Sequence, residues 1–552
     1  MCMNIKVIID QKVLEVEMDE RKTAEEILVE LSLDLPYKVL LCKVDNTYRS
    51  LSHKITHPCT IEYLDMRNNY AWLVYQNSLV FVYKKAVKDV LGNVKVAIEN
   101  SLNKGLYTTL KTSITKEMIF AIEKRMRELV DSKLEIVKER VDLKELMDLS
   151  ENALDKERTR LIHSLSDIQD IEIYSLQGMK ELFYSILVPN TSYLAHFELV
   201  PYRNGILLRF PHSSIPNEVP VYEDQKLLYD AFSEATRWER LMEVNYVSDL
   251  NEKIRDGKYE DLIMLQEALH EKKISDIADV IKRENKRIIL ISGPSSSGKT
   301  SFAKRLCIQL QVIGLKPLYL GTDDYFVDRD QTAVDENGEK DFESIGAVDV
   351  DLFNAHLNAL LSGERVDLPK YDFIHGIKRL GCRVVSLERN QPIIIEGIHA
   401  LNGTLTKGVE DREKYKIYIS PLTQLNIDRS NRIPTTDARM LRRLVRDYQF
   451  RGRDAVATIQ DWPKVRKGED RNIFPFIAEA DIFFNTNYIY EIAVLKKYAL
   501  PLLKSVERSQ KEYAEAQRML SFLKFFETME EDQMIANNSI LREFIGGSVL
   551  VK

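Results

Sequence analysis

The sequence predicts an α/β fold in which a doubly wound parallel sheet fills the C-terminal half and two smaller regions of mixed helix and strand precede it. Three observations support this prediction. An apolar run at 287–291 leads into a glycine-rich turn and then into an amphipathic helix at 301–306. Two further apolar runs, at 317–320 and 392–399, are accompanied by acidic residues. Near the start, alternating apolar positions and a helix capping pattern at 23–26 predict a small mixed module.

Length and composition limit the classes of protein to which the chain can belong. The chain has 552 residues, 44% of them hydrophobic and 30% charged, which predicts a globular protein of about three or four domains. No apolar stretch approaches the roughly 20 residues that a membrane span needs, and the start lacks the cleavage site of a signal peptide. A net charge of −7 argues against general nucleic-acid binding. Five scattered cysteines argue against a disulfide framework or a zinc site and favour the cytoplasm.

The glycine-rich turn has the spacing of a phosphate-binding loop. Two glycines bracket four residues, and a lysine and a threonine follow them. Glycines at these places let successive backbone N–H groups surround a polyphosphate, and the start of the following helix adds a favourable dipole. The lysine would contact the β- and γ-phosphates, and the threonine hydroxyl would bind Mg²⁺. The predicted nucleotide contacts in this loop are Gly293, Pro294, Ser295, Ser296, Ser297, Gly298, Lys299 and Thr300.

Acidic residues accompany the two later strands. Ligands of a doubly wound sheet bind at the carboxyl ends of its strands. Asp323 follows the strand at 317–320, so it is placed to accept a proton from an attacking hydroxyl. Glu396 lies in the strand at 392–399 and is the predicted second Mg²⁺ ligand beside Thr300. The alternative for Asp323 is a turn that carries two solvated aspartates.

A strongly basic helix is predicted at 437–447. Its arginines recur at three- and four-residue spacing, so one face presents several guanidinium groups. Such a face beside a nucleotide stabilises charge on a transferring phosphoryl group, as lid arginines do in small kinases. A solvated helix and an RNA-binding patch are the alternatives. The basic residues of the helix and of the segment after it are Arg439, Arg442, Arg443, Arg446, Arg451 and Arg453.

In their order along the chain, five blocks resemble the uridine kinase branch of the phosphoribulokinase/uridine kinase family. The resemblance covers about 287–505, and the segment 538–548 is similar as well. It implies a P-loop kinase that uses ATP and Mg²⁺ to phosphorylate the 5′-hydroxyl of a nucleoside, foremost uridine or cytidine in pyrimidine salvage. The five blocks are Gly-Pro-Ser-Ser-Ser-Gly-Lys-Thr at 293–300, Asp323-Asp324-Tyr325-Phe326, Asp341-Phe342-Glu343, Tyr371-Asp372-Phe373, and the basic run at 443–454.

The same resemblance implies a role for each site residue. Asp323 is then the general base, assisted in catalysis by Lys299 and Arg446. Glu343 stands where an aspartate holds the ribose hydroxyls. The remaining acceptor contacts are then Phe326, Tyr371, His375, Arg443 and Arg446. The ribose and the phosphates would be surrounded by Arg443, Arg446, Arg451 and Arg453.

The acceptor half departs from the family pattern. Glu343 is one methylene longer than the usual aspartate, Phe326 replaces a tyrosine, and His375 is displaced by one position from a base-contacting histidine. A pocket that hydrogen-bonds one base rejects others strongly, so two alternatives stay open. One is a kinase for another nucleoside or a sugar phosphate. The other is an RNA-binding or regulatory protein that uses the fold as a nucleotide sensor.

The front third resembles modules of threonyl-tRNA synthetases. Residues 1–66 resemble the β-grasp TGS domain, and residues 67–220 resemble the second additional domain that follows it. The editing site of that domain holds zinc through histidines and a cysteine. Here no histidine lies between His57 and His163, and no cysteine lies between Cys59 and Cys307. We therefore expect the editing metal site to be absent, and we expect His163, His196 and His212 to be structural or surface residues.

The predicted boundaries follow from these resemblances and from composition. Residues 221–286 form a helical connector, 287–510 the kinase domain and 511–552 a helical C-terminal tail. The expected partners are a small nucleoside substrate and a second copy of the chain in a homo-oligomer, without a membrane. A tRNA or nucleotide ligand at the front domains stays open.

Overall fold

The computed structural model of the protein describes residues 3–10, 12–18, 21–152, 156–163, 171–334, 338, 340–372, 375–423 and 425–551. Cys2, as well as Phe373 and Ile374 beside the predicted acceptor residues, lies outside the described residues. Within the described ranges, no helix combines the length and the apolar character needed to cross a membrane.

The first module is a five-stranded sheet with one helix. Its elements are β1 (Met3–Ile9), β2 (Lys12–Met18), α1 (Ala24–Glu30), β3 (Val39–Val44), β4 (Thr47–Arg49) and β5 (Thr60–Asp65). The strand order is β2-β1-β5-β3-β4, and β1 runs antiparallel to β2 but parallel to β5. The predicted capping box is present, because the Thr23 hydroxyl accepts from the Glu26 N–H while the Glu26 carboxylate accepts from the Thr23 N–H.

The second region contains a long buried helix and two antiparallel sheets, ordered β11-β12-β7-β6 and β10-β9-β8. One hydrophobic core joins this region to the first module, since Val7, Leu79 and Phe210 belong to the same buried cluster. The elements are α2 (Asn69–Leu91), β6 (Val96–Leu102), β7 (Gly105–Leu110), α3 (Lys116–Asp131), β8 (Val137–Val141), α4 (Leu143–Asn152), α5 (Lys156–His163), β9 (Ile171–Leu176), β10 (Met179–Glu181), β11 (Glu198–Tyr202) and β12 (Gly205–Arg209).

The predicted connector at 221–286 is helical. Its helices are α6 (Lys226–Met242), α7 (Val247–Arg255) and α8 (Tyr259–Arg283). The chain breaks between α7 and α8 near Gly257, whose positive φ of 70° suits glycine.

The C-terminal part is built on a fully parallel five-stranded sheet, ordered β14-β17-β13-β18-β19. Both faces of the sheet are covered, as predicted. Its elements are β13 (Ile288–Ser292), α9 (Lys299–Val312), β14 (Leu318–Gly321), α10 (Val350–Leu361), β15 (Val366–Asp372), β16 (Ile377–Val385), β17 (Ile393–Glu396), β18 (Lys414–Ser420), α11 (Thr435–Arg451), α12 (Ala455–Asn472), β19 (Ile482–Asn485), α13 (Glu491–Lys504), α14 (Tyr513–Leu523) and α15 (Arg542–Ile545).

Alternate residues of the central strand point to opposite sides of that sheet. Ile289 shares a buried cluster with Phe302 of α9, whereas Leu290 shares another with Phe353 of α10. The cluster on the α9 side also contains Ile162 and Ile173 from the second region. The front third and the parallel sheet therefore share a hydrophobic core.

Candidate active site

The phosphate-binding loop lies between β13 and α9, as the sequence predicts. Gly298 caps the helix in the left-handed region at φ 84°, which glycine adopts without strain. Gly293 allows a close approach of β18, because a Cβ at this position would lie 2.2 Å from the Ile419 carbonyl oxygen. The Lys299 ammonium donates to the carbonyl oxygens of Gly293 and Pro294, at 3.0 and 3.2 Å. Both glycines and the lysine thus occupy the places that a polyphosphate loop requires.

A carboxylate braces the loop from outside, and sequence reasoning missed it. Glu469 of α12 accepts from the Ser295 N–H at 3.1 Å and forms buried ion pairs with Arg439 and Arg466. The Arg439 Nε in turn donates to the Ser295 carbonyl oxygen at 3.0 Å. Glu469 follows no strand and belongs to no recognised motif, so only the packing of α12 against the loop identifies it.

Four of the five arginines of α11 divide into two pairs. Arg439 and Arg442 are buried, and the latter forms a bidentate pair with Glu491 at the start of α13. Arg443 and Arg446 instead donate to the hydroxyls of Ser295 and Ser296, at 3.0 and 3.1 Å. The spacing predicts one guanidinium face, whereas the structure buries the first pair against carboxylates and places the second pair on the loop hydroxyls.

Thr300 and Glu396 lie together at the carboxyl ends of the strands. The Thr300 hydroxyl donates to Glu396 Oε2 at 3.2 Å, and the Tyr319 hydroxyl donates to the same oxygen at 2.7 Å. Burial raises the pKa of Glu396 to about 7, and Asp323 adds to the rise while Lys299 opposes it. Two protein oxygens suit Mg²⁺, which takes most of its remaining ligands from phosphates and water.

Asp323 lies directly after β14, in the short 3₁₀ helix Thr322–Tyr325. Its side chain remains accessible to solvent. The dense protein surroundings nevertheless raise the pKa of its carboxyl, Lys299 opposes the rise, and Asp324 adds to it. Asp324 itself forms an ion pair with Lys370 at 3.0 Å. Of the two aspartates, Asp323 is therefore the one beside the loop lysine.

Glu343 lies beside the same lysine, on a segment between the sheet and α12. Burial raises the pKa of Glu343 to about 7, Glu469 adds to the rise, and Arg443 and Lys299 oppose it. The close packing against α12 depends on Gly468, since a Cβ there would lie 2.5 Å from the Glu343 Cβ. Lys299 thus acts electrostatically on three carboxyls, those of Asp323, Glu343 and Glu396.

The predicted acceptor residues separate in the structure. The rings of Phe326 and Tyr371 meet edge to face, with centroids 5.6 Å apart. They form an aromatic wall beside Asp323. His375 lies on the exposed turn between β15 and β16 and pairs with Asp372 at 2.8 Å. The structure brings the two aromatic residues to the site and places the histidine at the rim.

Arg451 and Arg453 follow the two loop arginines at the end of α11. Arg451 pairs with Asp447 at 3.3 Å and is half-exposed, and its charge acts on Asp323. Arg453 forms an ion pair with Asp461 of α12. Both residues lie beside the site without touching the phosphate loop through a described contact.

The C-terminal segment closes one side of the loop. Glu543 of α15 accepts from the Ser301 hydroxyl at 2.7 Å and lies 3.7 Å from an Arg446 nitrogen. Ile540 packs against Gly298, because a Cβ on that glycine would lie 2.3 Å from the isoleucine Cγ2. The sequence resemblance at 538–548 identifies this segment but gives it no role, whereas the structure places it on the first turn of α9.

Together these residues suit the transfer of a phosphoryl group. The site offers a loop that cradles a polyphosphate, an oxygen pair suited to a divalent cation and arginines on the loop. Asp323 lies where a hydroxyl could deliver its proton. Glu343 lies close enough to this carboxylate for the charge of Asp323 to raise its pKa.

Comparison with known proteins agrees with this chemistry. The profile of the "Phosphoribulokinase / Uridine kinase family" matches residues 288–492. The uridine kinase of Staphylococcus haemolyticus is 31% identical over 183 residues, which cover 33% of this chain and 79% of that protein. The uridine kinase of Chloroflexus aurantiacus is 30% identical over 203 residues, which cover 36% of this chain and 85% of that protein.

Among solved structures, one of a possible uridine kinase from Bacillus stearothermophilus is 19% identical. It covers 39% of this chain and 98% of that chain, with a TM-score of 0.28.

Proposed function

This chain belongs to the phosphoribulokinase/uridine kinase family, and on that premise we propose that it transfers the γ-phosphoryl group of ATP to the 5′-hydroxyl of a nucleoside. The chain is a phosphotransferase that acts on a hydroxyl acceptor. Uridine is the proposed acceptor, with cytidine next, in pyrimidine salvage. The observation that most directly supports this proposal is the position of Asp323 and the Thr300–Glu396 pair. They lie together at the carboxyl ends of β14 and β17, beside Lys299 of the loop.

The proposed reaction is an in-line displacement at the γ-phosphorus. The acceptor 5′-oxygen forms the new P–O bond, the bond between the γ-phosphorus and the bridging oxygen breaks, and ADP leaves. Asp323 accepts the proton of the attacking hydroxyl. Lys299 turns from its loop carbonyls to the phosphates, and Arg443 and Arg446 stabilise the charge that develops on the transferring group.

The proposed metal site uses the residues that the sequence predicts. Thr300 Oγ1 and Glu396 Oε2 would hold Mg²⁺, which neutralises charge on the β- and γ-phosphates when bound. Tyr319 fixes the shared carboxylate oxygen of this pair through its hydroxyl. The protein's own part is therefore to present both oxygens in one orientation before nucleotide binds.

The proposed acceptor pocket lies between α12 and the aromatic wall. Glu343 accepts hydrogen bonds from the ribose hydroxyls, and Phe326 with Tyr371 packs against the base. A glutamate that is protonated near neutral pH also donates one hydrogen bond, which an aspartate of ordinary pKa does not. His375 lies at the rim, where closure of the β15–β16 hairpin would bring it to the base.

For the front third we propose a TGS-like module at 1–66 and a synthetase-like second domain at 67–220. The β2-β1-β5-β3-β4 order with α1 between β2 and β3 supports the first assignment. The helix α2, where an editing metal would be held, carries the buried amide of Asn77 bonded to the Ser185 hydroxyl at 2.7 Å. The proposal also includes a cytoplasmic homo-oligomer.

A panel of acceptors tests the proposed function. Purified full-length protein with ATP and Mg²⁺ is offered uridine, cytidine, adenosine, guanosine, ribose 5-phosphate and ribulose 5-phosphate, and ADP release is coupled to NADH oxidation. We expect the fastest turnover with uridine or cytidine, and we expect none with the Lys299→Met variant. Preference for a sugar phosphate would replace the nucleoside assignment. ATP binding without turnover of any acceptor would overturn the kinase proposal in favour of a nucleotide sensor.

A further inference from the structure

We propose that the front region (residues 3–220) positions the arginines of α11 by holding the linker loop (residues 425–434) that leads from β18 into that helix. This inference rests on the proposed function, because it concerns the groups that contact the transferring phosphates. It gives the front third a part in phosphoryl transfer that needs no ligand of its own.

The front region holds the main chain of the linker loop directly. The Ile98 N–H donates to the Arg429 carbonyl oxygen at 2.9 Å. The side-chain amide of Asn426 donates to the Ile98 carbonyl oxygen at 3.0 Å. Near the other end of the loop, the Tyr184 hydroxyl donates to the Arg432 carbonyl oxygen at 2.8 Å. The Asn431 amide donates to the carbonyl oxygen of Leu182, also at 2.8 Å. Two backbone carbonyls and two side-chain amides of the loop are thus held by residues more than 240 positions away.

A buried network of charges fixes the turn of the loop. Asp428 is 1% exposed, accepts from the N–H groups of Ser430 and Asn431, and lies 3.6 Å from the Arg158 guanidinium. Arg158 also pairs with Glu181, which in turn pairs with Lys84. Burial alone would raise the pKa of Glu181, but these two cations outweigh it and lower the pKa to about 2.

The same network reaches back to the loop. The Lys84 ammonium donates to the Ser430 hydroxyl at 2.5 Å. A buried ion pair contributes little net stability, but separating its partners leaves an unpaired buried charge and is strongly destabilising. A network that joins α2, α5 and β10 to the loop therefore opposes displacement of the loop.

The front region also supports the first turn of α11 indirectly, through Arg518 of α14. Asp437 forms a bidentate pair with Arg518 of α14, at 2.7 and 2.8 Å. The Arg518 guanidinium stacks on the Tyr70 ring, with its carbon 5.6 Å from the centroid. The Tyr48 hydroxyl lies 3.5 Å from Glu515, which also pairs with Arg518. Residues of β4 and α2 thus support the pair that anchors the helix start.

The linker loop is followed directly by α11, so the contacts that hold the loop also affect the arginines at the active site. The linker loop ends at Pro434, and α11 begins with the next residue. Arg439 holds the Ser295 carbonyl oxygen one turn later, and Arg443 and Arg446 hold the loop hydroxyls. A rigid helix transmits any shift of its start to all three arginines. Because a 1 Å misplacement of catalytic groups costs up to about a hundredfold in rate, a loosened linker loop would slow phosphoryl transfer.

A matched pair of double variants tests the inference in the full-length protein. Tyr184→Phe/Asn431→Ala removes one hydroxyl and one amide that hold the linker loop. Tyr75→Phe/Asn77→Ala removes one hydroxyl and one amide whose bonds, at 2.7 Å each, stay inside the front region. The measurements are the thermal midpoint, ATP affinity, kcat, KM for the acceptor, and hydrogen exchange of the backbone amides at 435–446.

We expect both variants to lose similar stability, while only the linker-loop variant lowers kcat, by about tenfold, with KM for the acceptor little changed. Its amides at 435–446 exchange faster than those of the control. Equal kcat and equal exchange in the two variants would overturn the inference, as would a loss of kcat of the same size in both. If a double variant fails to fold, the single variants Tyr184→Phe and Tyr75→Phe carry the same comparison. Hydrogen exchange needs no acceptor, so it decides the inference even if the acceptor panel fails.

Discussion

Glu469 accepts the backbone N–H of Ser295 at 3.1 Å, so a carboxylate from α12 fixes the outer side of the phosphate loop. The same carboxylate neutralises two buried guanidinium groups, those of Arg439 and Arg466. The conformation of the loop is therefore set by side chains that contact no phosphate. A loop held in this way loses less conformational entropy when nucleotide binds.

Removing this carboxylate should destabilise the whole chain. Glu469→Ala removes the carboxylate partner of the buried Arg439 guanidinium and one of the two carboxylates that pair with Arg466. Breaking a buried pair in this manner costs about 3–5 kcal/mol. We expect a lower midpoint of urea unfolding and weaker ATP binding. The control is Asp276→Asn, which breaks an exposed pair with Lys272 and should leave the midpoint almost unchanged. Equal midpoints for the two variants would contradict the bracing role.

The proton acceptor can be separated from its neighbour by two conservative variants. Asp323→Asn should lower kcat by about 10²–10⁴-fold with ATP affinity retained, because an amide cannot accept the proton of the attacking hydroxyl. Asp324→Asn breaks the ion pair with Lys370 and removes one charge that raises the pKa of Asp323, but it leaves the proton acceptor in place. We therefore expect a loss below about tenfold. Steady-state kinetics with the preferred acceptor measure both. Near-normal turnover by the Asp323 variant would refute its role as base.

Tyr319 should affect the metal more than the fold. Tyr319→Phe removes the hydroxyl that orients Glu396 and keeps the ring. Since loss of an outer partner of a metal ligand typically weakens binding by about 10–100-fold, we expect about tenfold weaker Mg²⁺ binding, measured by calorimetry with a non-hydrolysable ATP analogue. Tyr63→Phe removes a hydroxyl bond to the Ala24 carbonyl oxygen far from the site. If Tyr319→Phe and Tyr63→Phe both bind Mg²⁺ with the affinity of the wild type, Tyr319 does not position Glu396.

Gly468 should control the acceptor site through Glu343. Glycine to alanine inside a helix normally stabilises by about 1 kcal/mol, but here the new Cβ would lie 2.5 Å from the Glu343 Cβ. We expect Gly468→Ala to raise KM for the acceptor several-fold with the ATP affinity unchanged. Gly403→Ala, whose Cβ meets nothing within 4 Å, is the control. A KM that does not respond to Gly468→Ala would remove Glu343 from the acceptor pocket.

The raised pKa of Glu343 predicts a pH dependence of stability. Its ordinary value is 4.5, and burial raises it to about 7 in the folded protein. The folded state therefore binds more protons than the unfolded state between these values, so the free energy of unfolding falls as pH rises from about 4.5 to about 7. Glu343→Gln should flatten this dependence in urea unfolding measured at several pH values. An unchanged slope would show that the carboxyl ionises normally.

The sequence predicts the parts of the site that depend on neighbours in the chain. The capping box at Thr23, the phosphate loop and the acidic residue after β14 each follow from local spacing. Tyr319 and Glu469 could not be found in this way, because their partners lie 77 and 174 residues away. The arginines of α11 show the limit most clearly. Their period predicts a shared face, but only the positions of Glu469 and Glu491 decide which guanidiniums are buried.

The contact between Ser301 and Glu543 has a consequence for biosynthesis. The two residues are 242 positions apart, and the later one completes the first turn of α9 together with Ile540. A ribosome that has made the whole parallel sheet has therefore not yet made the residues that close the nucleotide site. Until residues 540–543 leave the exit tunnel, the nascent chain presents an unfinished loop. The contact that completes the first turn of α9 can therefore form only after the parallel sheet, the linker loop and the front region have been synthesised.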